Sequence, residues 1–205
     1  MSGLRGRQKE KRRKAIADAA LALFEAQGYQ GTTVEQIAAK AEVGVTTVFN
    51  YFGTKQQIIL EILRQDDELA YPAVVKRLKR MSDPVEAMTA LGVEINLHTL
   101  RALPLSVWRE VLPLMFSPGS VFYDAYQELV RGFMEEARSA LQMLIDRGVL
   151  SSGLDVQTCI QVCMDVSHME LLRLVAEEQP DPHRHEQYMR AATRLLLGGA
   201  MCSGT

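Results

Sequence analysis

The sequence predicts an all-α protein, and three observations carry that expectation. Apolar residues recur three and four positions apart along most of the 205-residue chain. Glycine, proline and Ser/Thr/Asp stand where such runs begin and end. Period-two runs and Asn-Gly turns, the marks of strands and hairpins, are missing.

From Lys11 to Gln27 one stripe is formed by Ile16, Ala19, Ala20, Leu23 and Phe24, and Gly28 is placed to end that helix. Thr33 opens a second helix, with Gln36 three residues on completing a capping-box pattern. Val34, Ile37, Ala38 and Ala41 are its buried edge. After a tight turn near Glu42–Gly44, a third helix runs to Phe52. Thr54 is the N-cap of a fourth helix, which Pro72 should interrupt or kink. Ser82-Asp83-Pro84 starts a helix to about Ala102, and another runs from Pro104 to about Phe116. The longest periodic run is Phe122, Ala125, Leu129, Phe133, Ala137, Leu141 and Leu144, stopped by Gly148. A further helix spans Asp155 to about Glu178, and Asp181-Pro182 opens the last, reaching Gly198.

Composition is that of an ordinary soluble protein, 47% hydrophobic and 23% charged, with no apolar run long enough to cross a membrane. The three cysteines are an odd number in a chain that needs no stapling, so a reduced, cytoplasmic setting is expected. Net charge is −2, but it is unevenly spread. Residues 1–14 carry Arg5, Arg7, Lys9, Lys11, Arg12, Arg13 and Lys14 against Glu10 alone. Residues 1–55 hold nine basic and five acidic side chains, a balance of +4, and the remainder fourteen and twenty, a balance of −6. The N-terminal end therefore suits a polyanion, although a solvated arm would also read this way.

The stretch AEVGVTTVFNYFGTK carries the chemistry. Val45, Val48 and Phe52 share one side of a short helix, and Thr46, Thr47 and Asn50 the other. A helix this short does not persist alone in water. Its apolar side must be held by neighbours while its polar side meets something else. Spacing alone leaves a structural corner helix open. A helix-turn-helix, whose second helix enters the DNA major groove, is the functional alternative. Asn50 can then bond an adenine edge, the threonines can read several bases, and Val45 and Phe49 can touch thymine methyls. Thr33, Tyr51 and Lys55 stand where phosphates would be gripped, helped by the arm from Arg5 to Lys14.

The run GYQGTTVEQIAAKAEVGVTTVFNYFGTKQQII resembles the DNA-binding region of the tetracycline-repressor (TetR) family of bacterial transcription regulators. The elements that carry the likeness are Gly28, Thr32-Thr33-Val34, Ile37-Ala38, Ala41, Val43, Thr47-Val48-Phe49, Tyr51-Phe52 and Thr54-Lys55. Two positions depart from the family pattern. Glu42 replaces a frequent glycine in the turn and Gly44 a frequent serine cap, so no known operator preference carries over. The resemblance implies a helix-turn-helix domain over residues 1–52 and a ligand-binding and dimerisation domain over 53–205. It implies a regulator, a repressor released from a palindromic double-stranded operator by a small-molecule inducer.

The body offers weaker signals. Ten methionines, with Trp108, Met115, Phe122, Tyr126, Phe133 and Met164 on body helices, read as core filling or as an adaptable apolar pocket. His98 or His168 would supply its polar contact, and the ligand would be largely apolar. Glu94, His98 and Arg101 share a face expected to be solvated. Met189, Ala192, Leu195, Leu196 and Gly199 form an apolar edge on the last helix, and the resemblance makes the last two helices a homodimer interface. Cys159, Cys163 and His168 lack a fourth ligand and a shared direction for zinc. His183 and His185 read as a surface cap. No catalytic constellation, metal site or cofactor is expected.

Overall fold

The computed structural model describes residues 3–78 and 80–199, and their side chains apart from those of residues 4, 5, 66–75, 77, 78, 129, 133 and 136. The described helices are α1 (Leu4–Gln27), α2 (Val34–Lys40), α3 (Val45–Phe52), α4 (Lys55–Leu78), α5 (Pro84–Ala102), α6 (Leu105–Val111), α7 (Val121–Asp146), α8 (Val156–Ala176) and α9 (Pro182–Leu197). A 3-10 helix, Leu112–Phe116, follows α6 directly. Pro113 explains that switch, because it has no N–H to continue an α-helical ladder. The helical assignment of α4 continues through Pro72, so that proline does not end it.

Capping chemistry sets most starts. Asp83 Oδ1 accepts from the backbone N–H groups of Val85 and Glu86 at 2.8 and 3.1 Å. Asp155 receives Thr158 N–H at 3.1 Å, and Asp181 receives those of His183 and Arg184 at 2.9 and 3.2 Å. Each satisfies donors that the first helical turn leaves without partners. Helix α1 starts seven residues earlier than the periodicity suggests, so much of the basic arm is helical.

The described chain falls into two compact units. One comprises residues up to Asp67 together with Ala102–Tyr126, the other Glu68–Arg101 with Gln127 onward. The first is thus larger than residues 1–52. Its core joins Ile16, Ala20 and Phe24 of α1, Ile37 and Ala38 of α2, Val48 and Phe52 of α3, and Ile58 and Ile59 of α4. The second packs Val85, Met88 and Leu91 of α5 against Leu141 and Leu144 of α7, Ile160 and Met164 of α8 and Leu197 of α9.

The second unit also holds a buried polar network. His185 is 0% exposed, contrary to the surface cap expected of it. Its Nδ1 lies 3.4 Å from Glu170 Oε2 and its Nε2 3.5 Å from Asn96 Nδ2. Asn96 Nδ2 also donates to the Ser167 carbonyl at 3.0 Å, and Ser167 Oγ donates to Asn96 Oδ1 at 3.2 Å. With an amide donor facing Nε2, the arrangement suits the tautomer whose hydrogen is on Nδ1, aimed at the carboxylate. Arg173 closes the chain on Glu170 Oε1 at 2.5 Å. Helices α5, α8 and α9 are tied by groups that each need the others. Asn96→Leu keeps the volume but removes the partner of Ser167 Oγ and of His185 Nε2, while His185 Nδ1 keeps Glu170. It should cost about 3 kcal/mol in urea denaturation followed by circular dichroism.

Candidate nucleic-acid interface

The helix-turn-helix is built from local bonds that the sequence dictates. Thr33 Oγ1 accepts from Gln36 N–H at 3.3 Å while Gln36 Oε1 accepts from Thr33 N–H at 2.8 Å, a complete capping box. Thr32, whose role spacing did not reveal, donates its hydroxyl to the Gly28 carbonyl at 2.8 Å. Gln27 Nε2 bridges the Gly31 carbonyl and Gln36 Oε1, both at 2.8 Å, fastening the end of α1 to the start of α2. A Cβ on residue 31 would stand 2.5 Å from the Gln27 carbonyl oxygen, so only glycine fits there.

The turn from α2 to α3 is a Schellman motif. Val43 N–H bonds the Ala38 carbonyl at 3.0 Å and Glu42 N–H that of Ala39 at 3.2 Å. The left-handed position falls on Glu42, at φ 55. A residue with a β-carbon thus makes a turn that glycine makes without strain. Gly44 caps α3 through backbone geometry alone, with no side-chain bond.

This turn presents α3 with its two faces separated. Val48 and Phe52 are 2% and 5% exposed. Phe49 is 49% exposed, and Thr46 and Asn50 are exposed as well. Val45, Thr47 and Tyr51 are half-buried at the edges, and Thr33 is exposed at the start of α2. An open groove of about 380 Å³ flanks the C-terminal end of α3, with Phe49 and Asn50 on its wall.

Two cations expected at phosphates have employment inside the unit. Lys55 Nζ donates to the carbonyls of Tyr29 and Thr32 at 2.6 and 2.7 Å and lies 4.2 Å from the Tyr29 ring centre. At most one of its hydrogens is left for a phosphate. Burial pulls its pKa down, and Glu110 opposes this. Arg13 donates to Glu61 Oε2 at 2.5 Å and to the Tyr51 carbonyl at 3.4 Å, and stacks 4.8 Å from the Phe52 ring centre. Arg64 and Gln65 also donate to Glu61. Burial alone would raise the Glu61 pKa, but the bonds from Arg64, Arg13 and Gln65 outweigh it and hold the carboxyl at about 2. Arg7, Lys9, Lys11, Arg12 and Lys14 remain exposed along α1.

Residues 16–62 match the family described as "Bacterial regulatory proteins, tetR family". These residues carry the tetR-family domain. A curated relative, the HTH-type transcriptional regulator TcmR of Streptomyces glaucescens, is 39% identical over 87 residues, 42% of this chain and 38% of TcmR. The chain thus matches less than half the length of this relative. Thermus thermophilus FadR, a TetR-family repressor solved with lauroyl-CoA, superposes with a TM-score of 0.68 at 24% identity, covering 94% of this chain and 97% of that one. Bacillus subtilis FadR, solved with stearoyl-CoA, gives 0.68 at 20% identity over 91% and 98%. Both structures share the all-helical fold.

Outside the TetR domain the expected sites are redistributed. Trp108, Met115, Phe122 and Tyr126 fall in the unit with α3, and His98, Met164 and His168 in the other. Phe133 lies outside the described side chains. Trp108 and Phe122 are 0% exposed, and the Trp108 indole N–H is buried with no partner among the described residues. Of this set only Met164 lines the small cleft, about 10 Å³, between α5, α8 and α9. Burial lowers the His168 pKa, against Asp165. The face of Glu94, His98 and Arg101 is less solvated than expected, since Glu94 and His98 are half-buried. On α9, Met189 is 3% exposed and turns inward, because its methyl fills the space that Gly92 leaves open. Leu195 is 85% exposed, Ala192 and Leu196 are half-buried, and Gly199 is exposed. Met169, Leu172 and Tyr188 are further exposed apolar groups on α8 and α9, which spacing did not single out. No described helix is long and apolar enough to cross a membrane.

The head can be tested at two of its glutamates. Glu42→Gly relieves a left-handed position and should stabilise by about 0.5–1 kcal/mol in thermal unfolding. Glu61 has a folded pKa of about 2 against 4.5 for an unperturbed glutamate, so the unfolded chain binds the proton more readily. Its stabilisation is therefore full above about 4.5 and is lost as pH falls towards 2. Acid titration of Glu61→Gln should lack that component, and at neutral pH the variant should lose about 3 kcal/mol by leaving Arg13 unpaired.

Proposed function

We propose that the protein is a transcriptional repressor that binds a palindromic operator as a homodimer and leaves it when a small, largely apolar ligand binds. It is a binding protein rather than an enzyme, and its setting is the cytoplasm. The observation that carries this reading is α3, whose apolar side is buried while Thr46, Phe49 and Asn50 face outward beside a basic helix. Residues 1–52 form the DNA-binding domain and 53–205 the ligand and dimer domain, with α4 as the connector along the chain.

Thr46, Thr47 and Asn50 read base edges, and Val45 and Phe49 supply apolar contact. Thr33 and Tyr51 grip phosphates, with the exposed cations of α1 setting the salt dependence. Lys55 acts chiefly by fixing the start of α4 against the Tyr29–Thr32 turn. One reading helix addresses too few base pairs to be selective, so two copies related by a dyad are needed. The exposed apolar groups of α8 and α9, Met169, Leu172, Tyr188 and Leu195, support those helices as the interface, with Ala192, Leu196 and Gly199 beside them. The acyl-CoA complexes of the two FadR proteins are consistent with an apolar ligand here. Buried Trp108, whose indole N–H has no partner among the described residues, is the most useful probe for it.

Asn50→Ala should lose about 1–3 kcal/mol on the true operator and little on random DNA in fluorescence anisotropy. Equal losses on both would remove Asn50 from the reading set. Lys11→Ala should weaken both alike and flatten the log–log salt dependence by about one unit. Charges placed at Ala192 and Leu195 together should yield monomers by light scattering. Apolar ligands should quench Trp108 and lower operator affinity by roughly 5- to 150-fold over one concentration range.

A further inference from the structure

Helix α8 carries a pair of thiols that the repressor reading does not use. Cys159 and Cys163 are both free, one turn apart on the same face. At four residues' separation their side chains are neighbours on the helix surface. Cys159 is buried in the first turn after the Asp155 cap, where the helix N-terminus favours a thiolate. Asp155, the nearby anion, is engaged with the Thr158 hydroxyl at 2.7 Å and its N–H at 3.1 Å. Cys163 is half-buried and lines the cleft between α5, α8 and α9, so its sulfur can be approached from there.

We propose that Cys159 and Cys163 form a chelating dithiol site for a trivalent arsenical. Two sulfurs one turn apart on one side of a helix match an atom that holds its ligands in a bent pyramid. Mercury(II) prefers two sulfurs on opposite sides in a line, which one helical turn does not provide. Zinc asks for four ligands, and among the described residues no group of three or more His, Cys, Asp or Glu is placed to hold a metal ion.

The more acidic partner is Cys159, because the bond from the Cys163 thiol favours its thiolate; the same bond and burial push Cys163 up. Cys163, which lines the cleft, meets the arsenical first, and Cys159 closes the ring. In the overall condensation two S–H and two As–OH bonds break, two As–S bonds form, and two waters leave. Arsenic stays trivalent and nothing is oxidised. The third substituent on arsenic points to the cleft, whose walls include Leu91, Met164, Ala192 and Leu196. At about 10 Å³ that space takes a methyl group more readily than a phenyl.

The probe is methylarsonous acid, added to reduced protein carrying Cys202→Ser, since Cys202 lies outside the described residues. Mass spectrometry should show one arsenical per chain, heavier than the protein by the reagent less two waters. Chelation should make the adduct resist excess glutathione, a monothiol, roughly 100-fold longer than a single-thiol adduct would, while 2,3-dimercaptopropanol strips it. Cys159→Ser and Cys163→Ser should each abolish that resistance. An adduct that glutathione removes at once from the parent protein would overturn the proposal without reference to any variant. So would either single variant holding the arsenical as long as the parent.

Discussion

An eight-residue helix has to be held still, and the first compact unit is organised around that constraint. In isolation α3 would melt, because its few backbone bonds do not offset the entropy of ordering them. Val48 and Phe52 supply the missing free energy by burial among α1, α2 and α4 residues. Phe52 is also covered by the Arg13 guanidinium, which in turn bonds the Tyr51 carbonyl at the end of the same helix. The outward face is left free of structural duty, and this is why it can carry small polar groups of no use to the core. On the proposed reading, recognition and stability are divided between two sides of one element.

That division makes the electrostatics of the head less simple than its charge count. The N-terminal excess of positive charge suggests a uniform grip on phosphates. Arg13 and Lys55 instead bind carbonyls, an aromatic ring and a buried carboxylate. Both cations lie partly out of solvent, where a group without a partner is costly, so these contacts are conditions for the fold. Glu61 is the counterpart: a carboxylate at 3% exposure is tolerable only because three side chains donate to it. The exposed cations of α1 are the ones left to respond to salt.

Much of this was legible in the sequence, and the limits have physical reasons. Helix starts were read from capping chemistry, and Thr33, Asp83, Asp155 and Asp181 act as caps in the structure, because capping is local. Glu42 stood out only as a departure from the glycine frequent in the resembled family, and the structure puts it at φ 55. Long-range partners were not legible. Nothing near Lys55 announces the carbonyls of Tyr29 and Thr32, and nothing near His185 announces Glu170 or Asn96. Met189 shares a stripe with Leu196, yet it turns inward because a glycine on another helix makes room for it. Periodicity identifies a face but not what lies opposite.

In the second unit, the partners that periodicity leaves open are chosen by two kinds of contact. Its core is ordinary apolar packing of α5, α7, α8 and α9, in which many substitutions of similar volume would serve. The Asn96–Ser167–His185–Glu170–Arg173 chain is different, because each donor has a directional partner and no neighbour can substitute. Apolar contacts would allow α9 to slide on α5 and α8 by small amounts at little cost, whereas the polar chain admits one register. Helices α8 and α9 therefore reach the surface with a defined set of apolar groups outward, Leu195 foremost. In the proposed homodimer such a register would matter, since any error in it would be doubled by the two-fold axis.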